Sequence, residues 1–437
     1  MGVIDLSVVI PCYNEAAILA QSVEELVAVL RGTRLSSELI FVDDGSSDET
    51  VHSIQACRQR YADIPTQSIH HASNMGRGRA ASDGFRAANG RIVGYLDIDL
   101  EVHARYVPAM VDAIDRQGYD VAIARRIYKF ARPVMFRALC SKGYHRLVRW
   151  SLGLPFEDTE AGFKFFRRES LMRVLDHVQH PGWFWDTEIM AQAWLQGLRI
   201  REIPCLFIRR TDKPSSVRVW RDSWRYLIAL LTFKRRWLRC PSQTSLLYRV
   251  PWLYHGAMAL VYRYTERRRL GEVVRYVPRQ VSVLDVCSGD CALYHRWLKG
   301  HAADYLGVDL NPRLLHAGAR RGAHVRLMDV RNGELPQADV VVMQSSLYQF
   351  IPHHNAILQK LLRAARQRVI VVEPISNWAT DPRPWRRRLS HRWTNPGTGP
   401  VPERFSRPEL EQLFRHYGAS EIAEASTSRE LIGVFDV

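Results

Sequence analysis

The chain has 437 residues, a hydrophobic fraction of 46% and a formal net charge of +16 at pH 7. This length accommodates two domains that each bury a full core, and the positive charge favours anionic partners. The seven cysteines include no Cys-x-x-Cys pair, which argues against a disulfide framework and indicates a reducing, cytoplasmic environment. A strand is predicted close to the N-terminus, so we expect no signal peptide. Patterns of helix-turn-helix, RNA-recognition and zinc-finger modules are missing, so we expect no nucleic-acid partner, although a basic nucleic-acid-associated protein remains an alternative.

The first hundred residues predict alternating strands and helices. Residues 7–10 predict an apolar strand that stops at Pro11, because proline cannot donate to a sheet ladder. Apolar residues spaced by three and four then predict a helix over 16–31. A second strand leads to a helix that is predicted to begin at Thr50. This alternation predicts a parallel sheet with helices on both faces and a ligand site at the carboxyl ends of its strands.

Paired carboxylates follow two of these strands. Asp43 and Asp44 end the second strand, and Asp97 and Asp99 end a third. The spacing of Asp97 and Asp99 puts both side chains on one side of an extended backbone. Two hard oxygen donors in that arrangement can hold a divalent cation that is already bridged to phosphates. The alternative is that the strand ends carry solvated aspartates.

These segments and a further ordered series of motifs resemble the inverting family-two glycosyltransferases of the GT-A fold. The further motifs are Asn74-Met75-Gly76-Arg77-Gly78-Arg79, Ala124-Arg125-Arg126, Asp158-Thr159-Glu160-Ala161-Gly162-Phe163-Lys164 and Trp183-Phe184-Trp185-Asp186-Thr187-Glu188. The similarity covers roughly residues 5–235. It is greatest to the polyprenyl-phosphate glycosyltransferases, and among these to the dolichyl-phosphate β-glucosyltransferase branch.

The resemblance implies a nucleotide-sugar donor, a Mg²⁺ or Mn²⁺ ion and a polyprenyl-phosphate or similar lipid acceptor. The residues implied in nucleotide-sugar binding are Pro11, Tyr13, Glu15, Asp43, Asp44, Arg77 and Asp97. The implied metal ligands are Asp97 and Asp99, and the residues with an implied catalytic role are Asp158, Asp186 and Glu188.

A lipid-phosphate acceptor would need cationic side chains to position it, and arginines are the candidates. A phosphomonoester with a second pKa near ~6 is already a nucleophile at neutral pH, so it needs cationic positioning rather than a general base. Arg126 and Arg137 are the candidates for that role, although each is alternatively a solvated surface charge. Asp158 is alternatively the N-cap of a helix that begins at Phe163.

A basic and aromatic bridge is predicted over residues 236–271, between domains at 1–235 and 272–437. No apolar stretch there reaches the ~20 residues that a membrane span needs. Aromatic and basic residues around short apolar helices, which begin already near residue 217, are typical of an element that lies on an anionic membrane surface. The alternative is that these helices pack between the two domains.

The alternating pattern restarts after the bridge. Five predicted strands, over 281–286, 305–310, 325–330, 338–343 and 369–373, resemble a class I S-adenosylmethionine-dependent methyltransferase. Asp309 follows the turn at Gly289 by about 20 residues, a spacing at which an acidic residue grips ribose hydroxyls. The resemblance places Asp329 by the adenine, and Asp285 with Gly289 by the methionine end, of S-adenosyl-L-methionine (SAM).

The turn that contains Gly289 departs from this family. Cys287 and Cys291 stand where glycines are usual, and a position with positive φ would strain a cysteine. A nicotinamide-binding Rossmann domain is the rival interpretation.

The sequence thus predicts an α/β protein with an N-terminal GT-A, Rossmann-like nucleotide-diphospho-sugar transferase domain. A C-terminal Rossmann-like class I methyltransferase domain is predicted to follow it. We expect hexosyl transfer, of glucose or else mannose, to a lipid phosphate at the cytoplasmic face of a membrane. The second domain is expected to methylate the sugar or the glycolipid. A non-catalytic scaffold is the alternative for that domain.

Overall fold

The computed structural model describes residues 4–128, 146–208, 219–242, 244–261, 266–375, 383, 395–397, 399, 403–425 and 428–437. Contacts between Cα atoms divide the chain into two compact units, Met1–Lys234 and Arg235–Val437. These are called the N-terminal unit and the C-terminal unit.

The N-terminal unit alternates strands with helices, as predicted. Its strands are β1 (Leu6–Cys12), β2 (Ser37–Asp43), β3 (Thr66–His70), β4 (Ile92–Leu96), β5 (Val121–Tyr128), β6 (Phe163–Arg167) and β7 (Ile200–Phe207). Its helices are α1 (Ala16–Arg31), α2 (Thr50–Arg60), α3 (Arg77–Ala87), α4 (Val107–Asp115), α5 (146–152), α6 (Arg168–Leu175), α7 (Trp185–Leu195) and α8 (Val219–Trp237), whose last three residues are counted with the C-terminal unit. The predictions of a helix over 16–31 and of a helix beginning at Thr50 are confirmed.

The strands form a seven-stranded sheet in the order β3-β2-β1-β4-β6-β5-β7. Strands β1 to β4 pair in parallel, as predicted for the first hundred residues, but β6 runs antiparallel to both β4 and β5. Because β6 runs antiparallel to β4, its first residue, Phe163, pairs with Leu96 at the carboxyl end of β4. The segment just before β6 therefore lies at the edge where ligands bind in such sheets.

Strand β1 does not stop at Pro11. It continues to Cys12, and Pro11 pairs with Val42 of β2. The ladder between β1 and β4 ends at Val9, so Pro11 has one strand neighbour and its missing N–H leaves the sheet intact.

Alternate strand residues face two helical layers. Leu6, Val8 and Ile10 belong to a core that also contains the apolar faces of α1, α2 and α4. On the opposite face α3 lies so close to β1 that a Cβ added to Gly84 would lie 2.3 Å from Val9 Cγ1. Helix α7 packs beside α3, with the Trp185 ring 5.7 Å from the Phe85 ring. Helices therefore cover both faces, as predicted.

The C-terminal unit is a second α/β unit. Its strands are β8 (Ser282–Val286), β9 (Asp304–Asp309), β10 (Val325–Leu327), β11 (Ala338–Gln344), β12 (Ala365–Pro374), β13 (Glu421–Glu424) and β14 (Glu430–Asp436). Its helices are α9 (Leu246–Arg249), α10 (Pro251–Val261), α11 (Glu266–Val274), α12 (Pro312–Ala319), α13 (His354–Ala364) and α14 (Arg407–His416). All five predicted strands are present, and β13 and β14 are additional.

The second sheet has the order β10-β9-β8-β11-β12-β14-β13. Neighbours from β10 to β12 pair in parallel, and β14 runs antiparallel to β12 and β13. The strand order reverses between β8 and β11, and ligands of doubly wound sheets bind at such a reversal.

The predicted bridge contains the short helices α9, α10 and the start of α11. Within the described ranges, no helix combines the length and apolar character that a membrane crossing requires.

Candidate functional sites

The predicted acidic motifs of the N-terminal unit converge on one edge of its sheet. Strands β2, β1 and β4 are neighbours that run in the same direction, so Asp43, Asp44 and Asp97 lie at adjacent carboxyl ends. The backbone N–H of Asp44 donates to the carbonyl of Cys12 at 2.9 Å, which joins the ends of β1 and β2.

The buried carboxylate of Asp44 organises the loop that leads into α3. It accepts the backbone N–H groups of Met75 at 2.8 Å and Gly76 at 2.9 Å, and His71 Nδ1 lies 2.8 Å from it. The buried Asp43 carboxylate accepts the N–H of Ser46 at 3.2 Å. Asp44 therefore positions the loop before Arg77, in addition to its predicted place in the nucleotide site.

The loop after β1 supplies the other predicted nucleotide-site residues. Pro11 and Glu15 are half-buried and Tyr13 is exposed, which leaves its ring available to a planar ligand. Asn14, which the sequence did not single out, has φ of 55° and accepts the N–H of Ser47 at 2.8 Å. Asparagine tolerates this left-handed conformation better than most residues. The hydrogen bond from Ser47 to Asn14 connects the loop after β1 with the loop after β2.

Four charged side chains form a cluster beside this edge. The Arg77 guanidinium donates to both carboxylate oxygens of Asp97 at 2.8 Å and, through Nη1, to Asp186 at 2.8 Å. The other Asp186 oxygen lies 2.5 Å from Lys164 Nζ. Lys164 is fully buried, whereas the Asp97 carboxylate is 37% exposed. The cluster is therefore buried at Asp186 and Lys164 and accessible at Asp97.

Burial and charge oppose one another in this cluster. Burial raises the pKa of Asp186, while Arg77 and Lys164 lower it. Burial likewise lowers the pKa of the Lys164 ammonium, while Asp186 raises it. Two cations and two carboxylates balance in charge, and each stabilises the ionised form of its partners.

Gly162 makes room for the cluster. A Cβ at this position would lie 1.8 Å from Asp97 Oδ2 and 2.4 Å from Arg77 Nη2. The Gly162 carbonyl also accepts the backbone N–H of Asp97 at 2.9 Å. Glycine is therefore required because the backbone of the segment before β6 touches the Asp97 carboxylate directly.

Asp99 follows Asp97 by two residues. The ion pairs described for Arg77 and Lys164 are with Asp97 and Asp186. Asp99 Oδ1 accepts the backbone N–H of Glu101 at 3.2 Å. Among the residues that the structure describes, no group of three or more His, Cys, Asp or Glu side chains is arranged to hold a metal ion. A cation at Asp97 and Asp99 would therefore take further ligands from its substrate or from water.

Asp158 and Arg126 form an ion pair with each other. The Asp158 carboxylate accepts Arg126 Nε at 2.7 Å and Nη2 at 2.9 Å, a bidentate arrangement. The alternative of Asp158 as an N-cap is wrong, because residues 163–167 form β6 rather than a helix. Arg137 lies outside the described residues.

The buried Glu188 carboxylate faces a loop rather than the charge cluster. It accepts the backbone N–H groups of Gln179 at 3.1 Å and His180 at 2.7 Å. Among the three predicted catalytic residues, Asp186 is the one whose hydrogen bonds to Arg77 and Lys164 are described here. The bonds described for Asp158 and Glu188 go to Arg126 and to the backbone at 179–180.

Three of the four predicted SAM-site residues, Asp285, Gly289 and Asp309, lie around the ends of β8 and β9 in the C-terminal unit. The backbone N–H of Gly289 donates to the Asp309 carboxylate at 2.9 Å. Asp285 is buried and accepts the Tyr305 hydroxyl at 2.8 Å. Burial raises the pKa of Asp285 to about 7. Asp329 lies at the end of β10 and forms an ion pair with Arg331 at 2.7 Å.

The turn after β8 has three left-handed residues. Cys287, Gly289 and Cys291 have φ of 58°, 56° and 59°. The predicted strain on the two cysteines is therefore present in the backbone. Around Gly289 the nearest atom to an added Cβ is the Tyr254 hydroxyl at 3.7 Å, so the turn remains open there.

Comparisons with known proteins agree with this geometry for the N-terminal unit. Residues 7–175 match the model of glycosyl transferase family 2. This match agrees with the resemblance of the motifs in the N-terminal unit. The family match ends before the C-terminal unit begins.

Two curated relatives illustrate the match. The chain is 33% identical over 205 residues to glycosyltransferase AglD of Haloferax volcanii, covering 46% of this chain and 32% of the relative. It is 30% identical over 221 residues to dolichyl-phosphate beta-glucosyltransferase of Saccharomyces cerevisiae, covering 46% of this chain and 65% of the relative. The chain therefore spans less than two thirds of the length of these relatives.

A solved structure aligns with a similar share of the chain. Glucosyl-3-phosphoglycerate synthase from Mycobacterium tuberculosis, in complex with Mg²⁺ and uridine diphosphate, covers 55% of this chain and aligns over 82% of its own. The identity is 21% and the TM-score is 0.40.

Proposed function

We propose that the N-terminal unit transfers a hexosyl group, glucose or else mannose, from a nucleotide sugar to a polyprenyl phosphate with inversion at the anomeric carbon. The observation that carries this proposal is the cluster in which Arg77 joins Asp97, at the predicted diphosphate site, to the buried Asp186. The family match and the names of the curated relatives support the same reaction.

The donor site would hold a Mg²⁺ or Mn²⁺ ion through Asp99 and the exposed side of Asp97. Two carboxylates fit a hard cation whose other ligands are diphosphate oxygens. When bound, such a cation stabilises negative charge on the leaving diphosphate. Arg77 holds the Asp97 carboxylate in place and adds positive charge beside it. Pro11, Tyr13, Glu15, Asp43 and Asp44 would surround the nucleoside.

The acceptor site would rely on cations rather than on a base, because a phosphate acceptor is already ionised. Arg126 would contact the acceptor phosphate while Asp158 fixes its guanidinium. Arg137 remains a proposed second contact. Asp186 would position Arg77, and Glu188 would hold the loop at 179–180.

Sugar transfer can be measured with the purified chain, radiolabelled nucleotide sugars and polyprenyl phosphate. We expect a lipid-linked hexose in the presence of Mg²⁺ or Mn²⁺ and none after chelation. Nuclear magnetic resonance of the product should show inverted anomeric configuration. Equal transfer to the unphosphorylated polyprenol would contradict the proposed acceptor.

For the C-terminal unit we propose SAM binding and methyl transfer within residues 272–437. The supporting observations are the strand-order reversal at β8, the open turn at Gly289 and the bond between Gly289 and Asp309. Asp309 would grip the ribose, Asp329 would lie by the adenine, and Asp285 would face the methionine end. When bound, SAM supplies an electrophilic methyl group, and the protein contributes positioning.

Calorimetry distinguishes this proposal from its alternatives. We expect the full chain to bind SAM, and a D309A variant to bind it much more weakly. Binding of a nicotinamide dinucleotide instead would favour the Rossmann rival, and binding of neither would favour a scaffold.

The two activities would act in sequence on one glycolipid at a membrane surface. This part of the proposal rests on the joining of the two units in one chain. Mass spectrometry of lipid extracts with and without the gene should show a hexosyl lipid phosphate that carries an additional methyl group. A product without the methyl group would contradict the coupling.

A further inference from the structure

Helix α8 has apolar side chains on two opposite faces. Leu230 and Phe233 are buried, and the Phe233 ring lies 5.8 Å from the Phe184 ring of the N-terminal unit. Trp224, Ile228 and Leu231 are instead 65%, 49% and 47% exposed. With about 100° of rotation per residue, these three side chains fall within about 60° of one another and nearly opposite the buried pair. Packing among the residues that the structure describes therefore explains one apolar face of α8 but not the other.

The exposed face continues onto a neighbouring helix. Lys234 of α8 places its ammonium 5.6 Å from the centre of the Trp150 ring in α5. Trp150 is 60% exposed, and Leu147, one turn earlier in α5, is 40% exposed. Single exposed apolar residues are normal, but a group of them on two adjacent helices marks an interaction surface.

Cations border this apolar group. Beside this group α8 carries Arg225 and Lys234, and no acidic residue follows Asp222 in the helix. Tryptophan and basic side chains around a stripe of aliphatic residues suit the boundary between lipid head groups and acyl chains. A protein partner would need an acidic apolar groove, whereas an anionic bilayer offers both properties over any area.

We propose that this α8 surface docks on an anionic lipid bilayer, with the helix axis parallel to the membrane plane. The surface comprises Leu147, Trp150, Trp224, Ile228, Leu231, Arg225 and Lys234. The inference rests on the proposed function in so far as the acceptor is a lipid phosphate. It narrows the sequence prediction, whose aromatic and basic series begins near residue 217 and so includes α8, to one face of that helix, and it adds α5 to the contact.

Vesicle sedimentation tests the inference with the full chain. We expect binding to phosphatidylcholine vesicles that contain phosphatidylglycerol, weaker binding to phosphatidylcholine alone, and weakening by salt. A W224S/I228S/L231S variant should bind the anionic vesicles at least about tenfold more weakly, because the apolar anchor is removed while the charges remain. Circular dichroism should show an unchanged fold, since the three side chains are exposed.

The matched control replaces comparably exposed apolar residues of the bridge. Leu246 and Trp252 are 68% and 71% exposed. An L246S/W252S variant should bind vesicles as the unchanged chain does. Loss of binding in this control alone, or binding that ignores lipid charge, would overturn the inference. So would a dimer that the triple variant converts to a monomer, because a second copy would then cover the surface.

A water-soluble, short-chain polyprenyl phosphate separates this inference from the proposed function. The triple variant should transfer sugar to it at the unchanged rate. Vesicle binding without any sugar transfer would contradict the proposed function alone. Sugar transfer without vesicle binding would contradict the membrane inference alone.

Discussion

At the scale of single residues, the N-terminal site depends on groups that stabilise one another's charge. Lys164 lies in β6 among phenylalanines, on the same side of the strand as Phe166, and is fully buried against Asp186. A buried ammonium without its carboxylate would be strongly unfavourable, and the same holds for the carboxylate. Lys164 is therefore best described as a positioning residue for Asp186 and, through it, for Arg77.

Replacement of Lys164 by methionine should damage both stability and the pH profile. We expect K164M to lower the free energy of unfolding by about 3 kcal/mol, because Asp186 keeps Arg77 as its one cationic partner in the cluster. Loss of the ammonium should also raise the pKa of Asp186, so the acidic limb of kcat/KM should move to higher pH. Urea unfolding and a pH–rate profile measure the two effects.

Arg79 provides the control for this prediction. It pairs with Asp83 one turn along the exposed side of α3 at 2.6 Å, and its side chain is half exposed. R79M should change the free energy of unfolding by less than about 0.5 kcal/mol and leave the pH profile in place. Equal effects of R79M and K164M would contradict the assigned role of Lys164.

Gly162 offers a steric test of the same site. We expect G162A to reduce kcat at least about tenfold, because the added methyl group displaces the Asp97 carboxylate from Arg77. Gly182 is the matched control near the site, since an added Cβ there would lie 3.4 Å from His180 Cε1, an ordinary contact distance. Steady-state kinetics should show near-normal activity for G182A. Full activity of G162A would mean that Asp97 does not act in the position observed.

Asp285 links the C-terminal site to pH. Burial raises its pKa from the model-compound value of 3.8 to about 7. Between these values the folded state binds the proton and the unfolded state does not, so stability falls as pH rises through this window, by roughly 4 kcal/mol. D285N should remove this loss and be more stable than the unchanged chain at pH 8. The check is thermal unfolding of both proteins across the window.

The control for Asp285 is an aspartate whose pKa shifts the other way. Hydrogen bonds from Ser282 lower the pKa of Asp339. D339N should therefore lose stability relative to the unchanged chain at neutral pH. A gain in stability in both variants would show that the effect is one of net charge.

At the scale of elements, the turn after β8 is the unusual part of the second sheet. It holds two cysteines in a conformation that favours glycine, and the Cys291 thiol fills space beside Gly307 and Gly318. Burial raises the pKa of the Cys287 thiol, so this group is a packing group at neutral pH rather than a thiolate. The turn keeps the shape that a close backbone approach to a ligand needs, at some cost in strain.

The strain can be measured by comparing glycine with alanine at position 287. Both substitutions remove the thiol, but alanine retains the Cβ that clashes at positive φ. We expect C287G to be more stable than C287A by about 1 kcal/mol. At the exposed helical position Gln359 in α13 the order should reverse, with Q359A more stable than Q359G by about 1 kcal/mol. Denaturant unfolding of the four variants decides the matter.

At the scale of the whole molecule, each compact unit presents a candidate site on its own sheet. The N-terminal site is built from β1, β2, β4, β5 and β6 with helices α3 and α7, and the C-terminal site from β8, β9 and β10. No residue of one proposed site belongs to the other unit. We therefore infer that the two sites can be disabled independently.

Two single substitutions test that independence. D99A should abolish sugar transfer while leaving SAM binding and methylation of preformed product unchanged. D309A should weaken SAM binding and leave sugar transfer unchanged. Radiolabel transfer and calorimetry provide the two measurements. Loss of both activities in a folded D99A protein would require a single shared site instead.

The sequence alone predicted the features that depend on local pattern. Helices over 16–31 and from Thr50, the five strands of the second sheet and the acidic strand ends follow from periodicity and from residue type at strand ends. The place of Asp97 beside Asp43 and Asp44 also followed, because parallel strands end at one edge of a sheet. The ordered motifs pointed to glycosyl transferase family 2, and residues 7–175 match the model of that family.

The tertiary structure decided the rest, because the remaining features join residues that are distant in sequence. The antiparallel course of β6, the bond between Arg77 and Asp186, and the exposed face of α8 depend on which elements become neighbours. Lys164 and Gly162 stood in a recognised motif, yet their roles became visible only with the Asp97 and Asp186 carboxylates placed against them. The one sequence signal for Lys164 was its position among the phenylalanines of β6, because a charged group that is buried needs a partner of opposite charge. The local sequence does not show which residue that partner is.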